Sequence, residues 1–171
     1  MLKGKTPSES SSESTEIVLP NDTNTLGNLM GGRLLHWMDI IAAVACQRHC
    51  GRIVVTASVN NVSFGQPIKL GNVVTLYSKV SRAFTTSMEV FIEVWVEDTF
   101  SGEKVKCNEA IYTFVAVDQM GNPIYVPPIT PVTESEIARF DGALRRRQLS
   151  LILAGKMKPE EATELKALFM A

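Results

Sequence analysis

The sequence carries one carboxylate, that of Asp39, inside an otherwise apolar segment. Residues 34–46 read Leu-Leu-His-Trp-Met-Asp-Ile-Ile-Ala-Ala-Val-Ala-Cys, with apolar groups on nearly every side. This pattern is typical of a helix enclosed by other structure. We therefore expect Asp39 to be partly desolvated, and a carboxylate in such a setting can serve as a general base near neutral pH.

Two glycines, Gly31 and Gly32, directly precede this helical segment. Because they lack side chains, a ligand could approach the helix N-terminus, whose N–H groups favour an anion or a polarised carbonyl oxygen. The same glycines would also suit a tight turn and close packing, so by themselves they leave both interpretations open. Asn24 and Asn28 in the preceding loop could orient a water or a carbonyl, although asparagine is also a common turn residue.

Patterns of covalent, nucleotide-binding and metal-dependent catalysis are missing from the sequence. There is no Gly-x-Ser-x-Gly motif, no phosphate-binding glycine loop and no Cys-x-x-Cys pair. The two histidines, His36 and His49, both fall in the predicted helix. Cys46, His49 and Cys50 share neighbouring helical positions, but metal sites usually draw ligands from more than one segment. We therefore expect neither a metal nor a bound cofactor.

Composition narrows the class of protein. The 171 residues are 45% hydrophobic and carry a net charge of −1, which fits one ordinary core and argues against nucleic acid as a partner. No apolar run is long enough to span a membrane, and the first residues do not resemble a secretory signal. The three cysteines do not suggest a disulfide framework, so we expect a cytoplasmic protein without membrane partners.

Hydrophobic periodicity predicts an α+β protein in which one long helix lies against a sheet. We expect residues 1–15, which are rich in serine, to form a disordered tail. The predicted strands are residues 16–19, 53–64, 73–80, 88–97 and 104–117, and further helices follow Pro128. Because the long helix is apolar on nearly all sides, the sheet should curl around it, and a second subunit should cover the remainder.

Several of these segments together resemble the hotdog-fold acyl-CoA thioesterases of the cytosolic type. The most specific part of the resemblance is Asp22-Thr23-Asn24 followed by Gly27, Gly31-Gly32 and Met38-Asp39. Residues 59–67, 73–75, 93–97 and 112–118 support it. The resemblance covers approximately residues 16–125.

This resemblance implies a long central helix wrapped by a curved antiparallel sheet, and we place this hotdog domain at residues 16–130. The residues that follow predict a C-terminal helical extension at 131–171, which the resemblance does not cover. The resemblance also implies a homodimer as the minimal unit and a trimer of dimers, a hexamer, as the assembly. The implied activity is hydrolysis of acyl-CoA to a free fatty acid and CoA, in fatty acid metabolism, with coenzyme A entering only as part of the substrate.

The resemblance also implies roles for particular residues. Asp39 corresponds to the catalytic carboxylate, acting as general base or nucleophile, and Asn24 to its partner from the opposite subunit. The region of Gly31 and Gly32 would supply a backbone N–H that polarises the thioester carbonyl. Candidates for the phosphates of CoA are Arg82, Thr86 and Ser87 at a predicted turn, Lys106 on the next strand, and Arg145, Arg146 and Arg147 in the extension.

Two other functions remain open at this point. A hotdog dehydratase or hydratase would need an acid and a base that reach the acyl chain, and only His36, one helical turn from Asp39, is placed to help. A module that binds acyl-CoA without hydrolysing it would need no catalytic group at all.

Overall fold

The computed structural model of the protein describes residues 2–60 and 62–170. They form two compact units, divided between Thr130 and Pro131. Among the described residues, no helix is both long and apolar enough to cross a membrane.

One helix and a five-stranded sheet make up the first unit. Its elements are β1 (Ser12–Ile17), α1 (Gly31–Cys50), β2 (Ile53–Asn60), β3 (Val73–Ala83), β4 (Ser87–Glu97) and β5 (Lys104–Val117). The strands are antiparallel and lie in the order β1-β3-β4-β5-β2, so that β1 and β2 form the two edges. The sheet curls around α1, as the periodicity predicts.

The core lies between α1 and the concave face of the sheet. Met38 and Ala42 of α1 and Val90 and Ile92 of β4 have no exposed surface. Burying such side chains contributes about 1.5–3 kcal/mol each, which is the main force that holds a helix of this length against a sheet. The alternation predicted along β4 places the same apolar set on this inner face.

Two side-chain hydrogen bonds also fasten α1 to the sheet. Ser78 of β3 donates from Oγ to the carbonyl of Ile41 at 3.0 Å, and Tyr112 of β5 donates from its hydroxyl to the carbonyl of Leu35 at 3.0 Å. Both bonds are directional, so they fix the depth and rotation of α1 more narrowly than apolar packing alone.

The prediction of a disordered tail at residues 1–15 is wrong for the residues that the structure describes. Pro7–Ser10 forms a 3-10 helix, and β1 extends from Ser12 rather than from Glu16. Composition suggested disorder, but β1 pairs along its whole length with β3. Ser10 is fully buried and accepts a hydrogen bond from the Val80 amide at 2.9 Å, so this serine satisfies a backbone group instead of facing water.

Other boundaries shift by a few residues. The helix α1 starts at Gly31, so both glycines lie in its first turn and not before it, and it ends at Cys50 with Gly51 in the left-handed conformation at φ 63°. The strand predicted to reach residue 64 ends at Asn60, and Asn61 lies outside the described residues. The end of β5 at Val117 is as predicted.

The second unit is helical, with α2 (Glu134–Leu153), a 3-10 turn at Pro159–Glu161 and α3 (Thr163–Ala167). The N-terminus of α2 is a capping box. Thr133 Oγ1 accepts from the Glu136 amide at 3.2 Å, and Glu136 Oε2 accepts from the Thr133 amide at 3.1 Å. The amide of Leu165 donates to Gln148 Oε1 at 2.9 Å and joins α3 to α2.

Candidate functional site

The carboxylate of Asp39 lies on the side of α1 that faces the edge strand β2. Asp39 is half-buried, and Thr56 Oγ1 donates a hydrogen bond to its Oδ1 at 2.7 Å. A short bond to an ionised acceptor is stronger than a bond between neutral groups, so it restricts the rotation of the carboxylate. Thr56 is a site residue that the sequence analysis missed.

Tyr112 supports the turn of α1 that carries Asp39. Its hydroxyl bonds the carbonyl of Leu35, which lies one helical turn before Asp39, and its ring stacks on Phe114 at 6.4 Å between centroids. Burial, and secondarily the negative charge of Asp39, raise the pKa of Tyr112 to about 12. The phenol therefore remains protonated and donates this bond at any physiological pH.

Asn24 belongs to a closed loop before α1, and its carboxamide has a defined orientation. Oδ1 accepts from the amides of Leu26 at 2.9 Å and Asn28 at 3.2 Å. Since backbone N–H groups can bond only the oxygen, the NH₂ end of this exposed side chain points away from the loop. Among the described residues, no hydrogen bond joins Asn24 to Asp39.

The two glycines differ in their surroundings. A Cβ on Gly31 would lie 3.2 Å from Cζ of Phe64, whereas a Cβ on Gly32 would meet no atom within 4 Å. As the first two residues of α1, they have amides that cannot bond within the helix. Gly31 therefore permits close packing, and Gly32 leaves the helix N-terminus open to a ligand; the two interpretations of the pair each apply to one glycine.

The residues predicted to contact CoA do not lie together in one chain. Arg82, Thr86 and Ser87 lie at the turn between β3 and β4. Lys106 lies opposite Trp95, which is eight residues beyond Ser87 along β4. At about 3.3 Å per residue, Lys106 is therefore about 26 Å from the β3–β4 turn.

The residues predicted to contact CoA also differ in their distance from Asp39 and its partner Thr56, and in the groups that they bond. Thr56 lies opposite Phe114, and Phe114 lies opposite Met88, so the β3–β4 turn is about two strand spacings, or about 10 Å, from Thr56. Lys106 Nζ bonds Glu93 Oε1 at 3.3 Å and also the carboxylate of Glu109. Arg145, Arg146 and Arg147 lie in α2 of the second unit.

The histidines and cysteines of α1 do not form a metal site. His36 is exposed, and His49 is fully buried with Nε2 donating to the carbonyl of Pro127 at 2.7 Å. Burial lowers the pKa of His49 below its usual value of 6.5. All three cysteines are free, and in the described part of the chain no three His, Cys, Asp or Glu side chains are grouped to hold a metal ion.

Known proteins have similar sequences and the same fold. The thioesterase superfamily matches residues 26–101. An uncharacterized acyl-CoA thioester hydrolase of Bacillus subtilis (strain 168), YkhA, is 41% identical over 138 residues, covering 81% of this chain and 80% of that protein. Acyl-coenzyme A thioesterase 11 of Mus musculus is 38% identical over 144 residues, covering 84% of this chain but 24% of that protein.

Solved structures agree with these sequence matches. A hexameric acyl-CoA thioesterase superimposes with a TM-score of 0.86 at 35% identity, covering 90% of this chain and 98% of that one. An acyl-CoA hydrolase from Staphylococcus aureus, solved with butyryl coenzyme A and coenzyme A, gives a TM-score of 0.80 at 35% identity over 88% of this chain and 94% of that one. The same enzyme is known as variants with a single aspartate, threonine or asparagine replaced by alanine. The chain therefore belongs to the hotdog-fold acyl-CoA thioesterase family.

Proposed function

We propose that the protein hydrolyses acyl-CoA to a free fatty acid and CoA, at a site built from Asp39 and Thr56 of one copy and Asn24 of a second. The observation that carries the proposal is the geometry around Asp39. Its carboxylate is held by Thr56 at 2.7 Å on the rim of an apolar core, while the side-chain NH₂ group of Asn24 points outward and has no hydrogen-bond partner among the residues of its own chain that the structure describes.

The spacing of substituted residues in a relative supports this set. In the S. aureus hydrolase, the replaced asparagine precedes the replaced aspartate by 15 residues, and the replaced threonine follows that aspartate by 17. Asn24, Asp39 and Thr56 have the same two spacings. We therefore assign these three residues to the reaction.

In the proposed reaction, Asp39 takes a proton from a water that Asn24 orients, and the water oxygen attacks the thioester carbonyl carbon. The carbon–sulfur bond then breaks, the carboxylic acid forms, and the CoA thiolate leaves and receives the proton from Asp39. Thiolate is a good enough leaving group for this step to proceed without a histidine acid. Alternatively, Asp39 attacks the carbonyl itself and forms an anhydride that water hydrolyses. Label in Asp39 after one turnover in ¹⁸O-labelled water would establish the second route, with water attacking the Asp39 carbonyl of the anhydride, because the first route never exchanges the oxygens of Asp39.

We assign stabilisation of the carbonyl oxygen to the N-terminus of α1. The amides of Gly31 and Gly32 lie at the positive end of the helix, where developing negative charge is favoured. The open space at Gly32 supports an approach of the substrate from that side.

For CoA we propose that the phosphates contact the β3–β4 turn, with Arg82, Thr86 and Ser87. This turn is at the same end of the sheet as Thr56. Lys106 lies far along β4 from this turn and already pairs with two carboxylates. In this proposal it would contact only a CoA that is bound mainly by another copy of the chain.

We propose that two copies associate through β2. The edge strand β1 carries Glu13 and Glu16, which discourage pairing with another strand, whereas β2 is uncharged and exposes Ile53, Val55 and Val59 by 54%, 47% and 43%. Pairing of two β2 strands would join two sheets and bring a second copy towards Asp39. A trimer of such dimers agrees with the hexameric relative, and the three free cysteines agree with a cytoplasmic location.

Release of free thiol from a panel of acyl-CoAs tests the activity, and mixed oligomers test the shared site. Chains with Asp39→Ala and chains with Asn24→Ala are each expected to be inactive alone. Co-expressed with two affinity tags and purified through both, they should regain activity, because a mixed dimer contains one intact pair. Binding of acyl-CoA without thiol release would instead support a binding module, and inactive mixed oligomers would refute the shared site.

A further inference from the structure

An ion pair between the buried Asp22 and the half-buried Arg33 fastens the loop that carries Asn24 to the first turn of α1. Asp22 is 7% exposed, and its Oδ1 accepts from Arg33 Nε at 3.0 Å. Its Oδ2 accepts from the Leu19 amide at 3.0 Å, and its backbone carbonyl accepts from the Met30 amide at 2.9 Å. The two ends of the loop, residues 19–30, therefore meet at one residue, Asp22, whose carboxylate Arg33 holds against the helix.

The loop itself is closed by its own hydrogen bonds. The Asn24 amide donates to the Asn28 carbonyl at 2.8 Å, and the Gly27 amide donates to the Asn24 carbonyl at 3.0 Å. The loop is also joined to the segment before β3, where the Leu29 amide donates to the carbonyl of Ile68 at 2.7 Å. Because the loop is internally rigid, the main freedom left to Asn24 is movement of the loop relative to α1, and the Asp22–Arg33 pair opposes that movement.

We infer that Asp22 and Arg33 are positioning residues for the Asn24 side chain, and that they act on the active site of the partner copy. This inference rests on the proposed function, in which Asn24 completes the partner's site. Arg33 lies next to Gly31 and Gly32 of its own chain. If it acted only there, its substitution would impair the active site that contains the Asp39 of the same chain. The two alternatives therefore predict losses in different active sites of the same dimer.

The mixed oligomer separates them. When Asp39→Ala chains are combined with Asn24→Ala chains, the intact site takes Asn24 from the first chain and Asp39 from the second. Arg33→Met is added to one chain at a time, and kcat and KM for thiol release are measured together with the melting temperature. Arg48→Met is the matched control, because Arg48 lies on the same helix and its guanidinium bonds residues before β1 and at its start: the carbonyl of Ser11 and, at 3.3 Å, the hydroxyl of Ser12.

On the chain that supplies Asn24, Arg33→Met should lower kcat by about 10- to 100-fold with little change in KM, since small displacements of an orienting group cost this much. On the chain that supplies Asp39, it should change kcat by less than about threefold. Arg33→Lys on the first chain should restore part of the loss, because the charge remains while the Nε contact is lost.

Equal losses on both chains, or a larger loss on the chain that supplies Asp39, would overturn the inference while leaving the shared site intact. Absence of activity in mixed oligomers that lack any Arg33 substitution would instead refute the shared site, and the inference with it.

Discussion

Replacing Thr56 by valine removes the hydroxyl that holds Asp39 while keeping the size and branching of the side chain. Hydrogen bonds to charged groups contribute about 1.5–3 kcal/mol. Since Thr56 is exposed in the single chain, we expect the lower part of this range, about 1.5–2 kcal/mol. At 1.36 kcal/mol for each factor of ten, kcat should fall about 10- to 30-fold. KM should stay nearly constant, because the Thr56 hydroxyl is already donated to Asp39.

Thiol release under saturating acyl-CoA measures this loss, and thermal unfolding separates it from a loss of folded protein. Valine suits an exposed strand position, so the free energy of unfolding should fall by no more than about 2 kcal/mol, the value assigned to the hydrogen bond, and the variant should remain folded. Thr56→Ser keeps the hydroxyl and should retain most of the activity. Thr15→Val is a matched control, because Thr15 lies on the opposite edge of the sheet, where its hydroxyl bonds that of Thr75 at 3.2 Å. Activity of Thr56→Val within twofold of wild type would show that the Thr56 hydroxyl does not hold Asp39 for catalysis.

Three further outcomes are expected. Gly32→Ala should raise the free energy of unfolding by up to about 1 kcal/mol. Gly31→Ala should raise it less, because its Cβ would lie 3.2 Å from Phe64. Equal melting temperatures of the two variants would contradict the close packing of Phe64 against Gly31. Because burial lowers the pKa of His49, the unfolded chain binds a proton there from about pH 6.5 downward before the folded chain does. Below pH 6.5 wild type should lose stability faster than His49→Gln, by at most about 1.4 kcal/mol per pH unit, and parallel urea midpoints would contradict this. Cys46, fully buried and with a strongly raised thiol pKa, should be alkylated only in denaturant, whereas rapid labelling of the native protein would disprove its burial.

The fold could be predicted because its signals are local. The strict alternation along β4 and the apolar run of α1 each follow from neighbouring residues, and the structure confirms both. The prediction of disorder for the serine-rich segment was wrong, because β1 is ordered by backbone pairing with β3, about sixty residues away. Composition describes the side chains of a segment but not which strand is available to pair with its backbone.

The candidate site was predictable only in part, for a similar reason. Asp39 stands out as a carboxylate among apolar neighbours. Thr56 does not, since threonine is common in strands and its role depends on a contact across 17 residues. The ion pair of Asp22 and Arg33 was equally hidden, because their attraction depends on how the loop folds back onto α1. Contacts of this kind require the tertiary structure.

The most direct test of the account is thiol release by wild type and Asp39→Asn, side by side, on acyl-CoAs from short to long. Asparagine keeps the shape of the side chain but cannot take a proton from water. We expect kcat to fall by about 10²- to 10⁴-fold with acyl-CoA binding retained, as removal of a general base requires. Turnover by Asp39→Asn within tenfold of wild type would show that this carboxylate does not perform the chemistry.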